Sequence, residues 1–217
     1  MLRIILLNYN RPDNVKNIVF SLRKYFPRIT VINNNPTYQL PYWGGQDDRN
    51  IDVINNEKNY FCMERWIRSY EYPEEYKLIL DDDILPSPTL IKKMVESNLS
   101  FTGIYGKRGV ATANTYNELE DVWKSEEVDF IVGACILIKQ SLLNEIEFDL
   151  KKIGYPERGD DIIVSYLIKR RLQIPLKLVS GKFMFLPEGN VGLNKNKEHF
   201  LMRWNMVQKF KNIGWTD

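Results

Sequence analysis

The chain reads as one α/β domain, a mostly parallel central sheet flanked by helices, and three observations predict this. Apolar runs of strand length alternate with segments whose apolar residues recur at helical spacing. Four runs end in polar residues, at Asn8, Asn33, Asn55 and Asp81, as strand ends along one sheet edge would. The length, 217 residues, suits a single domain with a sizeable core.

Leu2 to Leu7 reads as a first buried strand, and Asn8 to Pro12 as the turn after it. Pro12 and Asp13 open a helix with Val15, Ile18, Val19 and Leu22 on one face. Ile29 to Ile32 is a second strand, closing a right-handed βαβ unit. Thr37 to Asn50 is a polar connection to a short third strand, Ile51 to Ile54. Asn59 is placed to cap a helix with Met63, Trp66, Ile67 and Tyr70 on its face. Leu78 to Leu80 is a strand buried on both faces, and Ser87-Pro88 starts the next helix.

Further on, Val110 to Ala113 reads as a strand, and Val128 to Lys139, with a long apolar run around Gly133-Ala134-Cys135, as a central one. Small residues there imply close approach of another group to the backbone. Leu142 to Phe148 is expected to be helical. Another helix follows Asp160-Asp161, and Leu176 to Val179 is a short strand. Pro187 to Lys197 is expected to be a loop, and Glu198 to Lys211 a last helix. The expected division is into two halves, 1–100 and 101–217.

A net charge of +2 argues against a dedicated nucleic-acid binder. Leu2 to Leu7 is too short for a leader or a membrane span. The two cysteines, Cys62 and Cys135, lie in apolar contexts and read as free thiols, so a reducing, cytoplasmic setting is expected. A single histidine, His199, leaves little room for Ser-His-Asp chemistry.

The chemistry concentrates at Asp81-Asp82-Asp83, where a buried strand runs into a helix start. Three adjacent carboxylates repel one another, and a divalent cation relieves the repulsion. Hard oxygen ligands suit Mg²⁺ or Mn²⁺. A solvated acidic turn ahead of a helix is the plainer reading of the same residues.

In order along the chain, Leu6-Leu7-Asn8-Tyr9-Asn10-Arg11-Pro12, Val31-Ile32-Asn33-Asn34-Asn35, Leu80-Asp81-Asp82-Asp83, Gly133-Ala134 and Gly159-Asp160-Asp161-Ile162 resemble the GT-A class of nucleotide-sugar glycosyltransferases. Within that class the triple acid and the Asn-rich strand ends are similar to exostosin-type enzymes and to transferases of large algal viruses. The resemblance spans residues 2 to about 170 and implies a Rossmann-like GT-A fold, with 1–100 as the nucleotide-binding half and 101–217 as the acceptor-binding half. It implies a UDP-sugar donor, a carbohydrate acceptor and Mn²⁺ or Mg²⁺. It implies transfer of a hexose or deoxyhexose, and the exostosin likeness favours retention. A domain of a longer multidomain chain is compatible with this length.

The resemblance also implies roles. Asp83 and Asp81 would hold the metal, with His199 completing its shell. Asp81 would also contact the ribose or base, with Asp82 assisting. Asn8, Tyr9 and Arg11 would border the uracil, with Asn33 or Asn35 reading its edge. Many members carry Asp at that second strand end, where this chain has Asn. Asn56, Asn59 and Arg65 would contact the nucleotide. Gly133 and Ala134 belong to the acceptor side, and Lys197, with Lys195 and Arg203, would face phosphate. Asp161, with Asp160, would act at the anomeric carbon or on the acceptor hydroxyl. Trp43, Trp123 and Trp215 would stack on an acceptor sugar. Each residue also has a plain structural reading: the asparagines as turn formers, Asp160 and Asp161 as helix-start acids, the cations as solvated charge.

Two other functions compete. A haloacid-dehalogenase-type phosphohydrolase would use an Asp nucleophile two residues before a second Asp, but Ile84-Leu85 stands where Gly-Thr is usual. A non-catalytic sugar-binding module is the third reading.

Overall fold

Leu2–Asn8 forms β1, and its period-2 alternation sets the layers of the fold. Ile4 and Leu6 point to one face, among Val15, Ile18, Leu90 and Met94. Ile5 points to the other, among Trp66, Leu143 and Ile163. Each face is therefore covered by helices, which is what a strand without a polar side requires.

The computed structural model describes residues 1–43, 50–187 and 197–214. After β1 come α1 (Pro12–Leu22), β2 (Ile29–Asn33), β3 (Ile51–Asn55), α2 (Glu64–Ser69), β4 (Tyr76–Asp81), β5 (Ile84–Pro86) and α3 (Pro88–Glu96). The second half adds β6 (Phe101–Gly103), β7 (Gly106–Arg108), β8 (Glu120–Val122), β9 (Glu127–Val128), β10 (Phe130–Ile131), β11 (Cys135–Lys139) and α4 (Gln140–Ile153). Then follow α5 (Asp160–Tyr166), which runs on as a π-helical stretch over Leu167–Arg171, β12 (Leu176–Leu178), β13 (Phe183–Phe185) and α6 (Lys197–Lys211). Ser87 caps α3, accepting from the Leu90 N–H, and Pro88 takes the first helical position.

The main sheet has eight strands in the order β3-β2-β1-β4-β11-β6-β12-β9. β3, β2, β1 and β4 are mutually parallel. β11 is antiparallel to both β4 and β6, so the two halves of the chain share one continuous sheet. The chain leaves β1 for β2 on one side, while β4 pairs on the other. That makes the carboxyl ends of β1 and β4 the switch point at which open α/β sheets take ligands.

Several expectations are corrected. Val110 to Ala113 is a turn, with the Thr112 and Ala113 N–H groups both donating to the Gly109 carbonyl. The long strand expected over Val128 to Lys139 is three short pieces, broken at Val132-Gly133-Ala134. Asn59 caps no helix: its Oδ1 accepts from the Phe61 N–H at 2.8 Å, and α2 starts only at Glu64. This local turn holds Phe61 at φ 57°, a left-handed conformation unusual for a bulky side chain. Lys195, Trp215 and the Lys197 side chain lie outside the described residues.

The polar strand ends form a ladder. Asn8, Asn33 and Asn55 are register partners across β1, β2 and β3. Asn8 Nδ2 donates to Asn33 Oδ1 at 2.8 Å, and Asn33 Nδ2 donates to Asn55 Oδ1 at 3.0 Å. Asn33 Nδ2 also reaches the Tyr38 carbonyl at 2.8 Å. Asn55 in turn pairs with both backbone groups of Leu40. Asn33 is fully buried and its amide is engaged on both sides, so the ladder ties the connection after β2 to the sheet edge. Asn33→Ala takes a partner from the buried Asn8 amide and leaves the Tyr38 carbonyl and Asn35 N–H without its side chain, and is expected to cost about 1–3 kcal/mol in urea unfolding. A change below ~0.5 kcal/mol would show the ladder to be incidental.

Candidate active site

Asp81 ends β4 opposite Leu7 of β1, so the acidic turn opens at the switch point. The three acids have different surroundings. Asp82 is buried: it takes a hydrogen bond from Arg11 Nη1 at 2.5 Å and another from the Tyr9 N–H at 3.2 Å. Asp83 shares the same Arg11 nitrogen at 3.1 Å and keeps 27% of its side chain open. The Asp81 side chain is 35% open and is gripped from behind by Arg65 Nη1. Burial at the crevice floor, and then the Asp83, Asp160 and Asp82 charges, outweigh the Arg65 guanidinium and push the Asp81 carboxyl up to about 8.

Arg65 comes from α2 and lies almost fully inside. Its Nε and Nη2 donate to Asp160 Oδ2 at 3.0 and 2.8 Å, and its Nη1 also reaches the Gly133 carbonyl at 3.1 Å. Trp66 Nε1 adds a third donor to Asp160 Oδ2 at 2.7 Å. Arg65 thus ties the end of β4 to the start of α5.

Asp161 is tied as firmly. Arg203 of α6 holds it in a two-pronged pair, Nη1 to Oδ1 at 2.9 Å and Nη2 to Oδ2 at 2.8 Å. The Gly133 and Ile162 N–H groups each donate to it at 2.9 Å. Arg203 Nε is anchored on the Tyr116 hydroxyl at 2.8 Å. Burial would raise the Asp161 pKa, but Arg203 outweighs it and holds the carboxyl below the usual carboxylate range. Tyr116 belongs to a stretch whose polar pattern gave no sign of a site.

Gly133 is where these two networks meet. A Cβ there would stand 2.6 Å from Arg65 Nη2 and 3.6 Å from Asp161 Oδ2. This close approach is why the apolar run breaks into pieces at this point. Gly133→Ala is expected to push the guanidinium off its partners and to cost about 1–3 kcal/mol. An unchanged urea midpoint would mean that Arg65 yields without loss.

The remaining site candidates divide by position. Asn8, Asn33, Asn35 and Asn56 are buried, and their amides bind the sheet edge and its loops. Asn35 Oδ1 accepts from the Thr37 N–H at 2.9 Å, and Asn56 Nδ2 donates to Asn34 Oδ1 at 2.7 Å. The expectation that Asn33 or Asn35 presents a free amide edge to a base is therefore corrected: neighbouring backbone and side-chain groups take those edges. Arg203, expected to face phosphate, is committed to Asp161 instead. Tyr9 is different, because 47% of it is exposed beside Asp82. Ala134 accepts the Asp81 N–H at 3.1 Å and so fixes the acidic turn from its other side. His199 is half-buried, with Nδ1 3.3 Å from Arg158 Nη1. Burial, then Arg203 and Arg158, hold its imidazole neutral down to about 4.

Five carboxylates, Asp81, Asp82, Asp83, Asp160 and Asp161, thus face three guanidiniums, Arg11, Arg65 and Arg203. Among the described residues no three His, Cys, Asp or Glu side chains converge on a metal cage. The part-open carboxylates of Asp81 and Asp83 are hard oxygen donors of the kind that suit Mg²⁺ or Mn²⁺.

No protein-family model matches this chain, and no curated protein matches it. Among solved structures, it resembles the crystal structure of GalNAc-T7 with UDP, GalNAc and Mn²⁺, with a TM-score of 0.65 and 12% identity. The match covers 96% of this chain and 48% of that one, so the chain spans about half the length of this neighbour. At 12% identity the likeness is one of fold. The eight-stranded mixed sheet between helical layers is that of a GT-A-like glycosyltransferase fold.

Proposed function

We propose that this chain is a metal-dependent glycosyltransferase that moves a hexose or deoxyhexose from a UDP-sugar to a carbohydrate acceptor with retention. The observation that carries the reading is the acidic turn at the switch point, where the buried strand β4 ends and the side chains of Asp81 and Asp83 remain part-open beside the buried Asp82. The fold neighbour was solved with UDP, GalNAc and Mn²⁺, which supports the same ligand class here. The exostosin-like pattern of the acids is consistent with it.

A bound cation would supply charge stabilisation to the departing diphosphate. Asp83 and Asp81 are the residues to hold it, and Arg11 and Arg65 keep both carboxylates oriented. Tyr9 offers its exposed ring to the base. Asp161, kept ionised by Arg203, is poorly suited to accept a proton, which argues against inversion, in which an acid at this place would deprotonate the acceptor.

Thermal stabilisation tests the reading. UDP with Mn²⁺ is expected to raise the melting temperature, because a ligand of the native state alone shifts unfolding. UDP without metal should do so far less. No shift with UDP and Mn²⁺ at millimolar concentrations would overturn the assignment.

A further inference from the structure

Trp123 lies in an aromatic cluster that borders the acidic crevice. Its ring stacks on Tyr105, with centroids 4.0 Å apart and planes 11° apart, and on Phe183 at 5.6 Å and 19°. Phe185 meets it edge-on at 6.0 Å and 85°. Trp123 is 39% exposed and Phe185 60%, a large apolar surface to leave facing water.

Both ends of the cluster are tied to the candidate site. β13 pairs with β5 so that Phe185 stands opposite Ile84, the residue after Asp83. The Leu186 N–H donates to the Asp83 carbonyl at 2.7 Å. At the other end the Tyr105 carbonyl accepts from the Val132 N–H at 2.9 Å, one residue before Gly133. The rings therefore reach from the acidic turn to the loop that contacts Arg65 and Asp161. Polar groups lie beside the rings: Lys107 pairs with Asp121 at 2.7 Å, and the Ser125 and Ser180 hydroxyls pair at 2.9 Å.

We propose that Trp123 and Phe185 form the acceptor subsite and take the C–H face of a pyranose ring. The proposal rests on the transferase reading above. A pyranose has an apolar face edged by hydroxyls, and an aromatic wall with polar groups beside it complements both parts. Tyr105 and Phe183 back the wall and hold the indole in place.

Saturation-transfer NMR with the whole chain tests this, using neutral trisaccharides of glucose, galactose, mannose, xylose and N-acetylglucosamine as probes, with UDP and Mn²⁺ present. At least one trisaccharide is expected to bind the wild type, with its ring C–H protons receiving the strongest transfer. Binding should weaken at least tenfold in Trp123→Ala and in Phe185→Ala, and Trp123→Phe should restore most of it. Stabilisation by UDP and Mn²⁺, measured on the same variants, should persist and certifies that they fold. Phe185→Ala, at the more exposed position, keeps the test alive if Trp123→Ala unfolds. Binding of no trisaccharide, or binding unchanged in both variants, overturns the subsite while UDP with Mn²⁺ still stabilises the protein. Failure of UDP with Mn²⁺ to stabilise the wild type overturns the transferase reading instead. In that event, sugar binding lost in both variants would still assign the wall to carbohydrate.

Discussion

Asp83→Ala is expected to abolish the stabilisation by UDP that depends on Mn²⁺, and to lower transfer from a UDP-sugar by at least about a thousandfold. That factor corresponds to ~4 kcal/mol, the scale of charge stabilisation a bound cation supplies to a leaving diphosphate. The informative control is its neighbour. Asp82 is buried against Arg11 and the Tyr9 N–H. Asp82→Ala should therefore lower the melting temperature while leaving the Mn²⁺ concentration for half-maximal stabilisation within a few-fold. Equal loss of metal response in both variants would show that the turn acts as an undivided patch of charge. An unaltered response in Asp83→Ala would remove Asp83 from the metal altogether.

The contrast between these adjacent acids shows where sequence reading stops. That a carboxylate cluster ends a buried strand is visible in Leu78 to Asp83, because strand, turn and capped helix each carry a local signature. Which of the acids faces outward is decided by Arg11, some seventy positions earlier, and no local pattern encodes that. Asn33 is the same case in reverse. Its residue type fits a base-reading amide and a buried ladder equally well, and only the register of β1, β2 and β3 brings Asn8 and Asn55 against it. The first four parallel strands were legible because each is a short apolar run with a polar end. The second half was less so. β6 to β10 have two or three residues each, too short for periodicity to emerge. Their order depends on long-range pairing such as β12 with β6 and β9. A close approach at Gly133 was expected from the small residues, but the break was not, because the partner Arg65 lies on another element, and Tyr116 with Arg203 joins Asp161 from two others.

Arg65 brings the largest expected loss of stability. Its guanidinium is 2% exposed, and it is the common partner of Asp81 and Asp160. Arg65→Leu keeps much of the volume but removes the positive charge, leaving Asp160 buried with Trp66 Nε1 as its remaining side-chain donor. Breaking a buried pair by removing one partner typically costs about 3–5 kcal/mol, because the surviving charge stays desolvated. Urea unfolding should show a loss of that size. Arg65→Lys should recover only part of it, since one ammonium cannot reach Asp81, Asp160 and the Gly133 carbonyl together as the planar fork does. Adding Asp160→Asn to Arg65→Leu should restore stability relative to Arg65→Leu alone, because it removes the stranded charge. The double variant would then be non-additive by more than ~1 kcal/mol. If Arg65→Leu costs less than ~1 kcal/mol, or if the two changes simply add, the guanidinium is not what joins β4 to α5. The geometry of the acidic turn would then have to be set by its other contacts, with Ala134, Arg11 and the Tyr9 and Leu186 N–H groups.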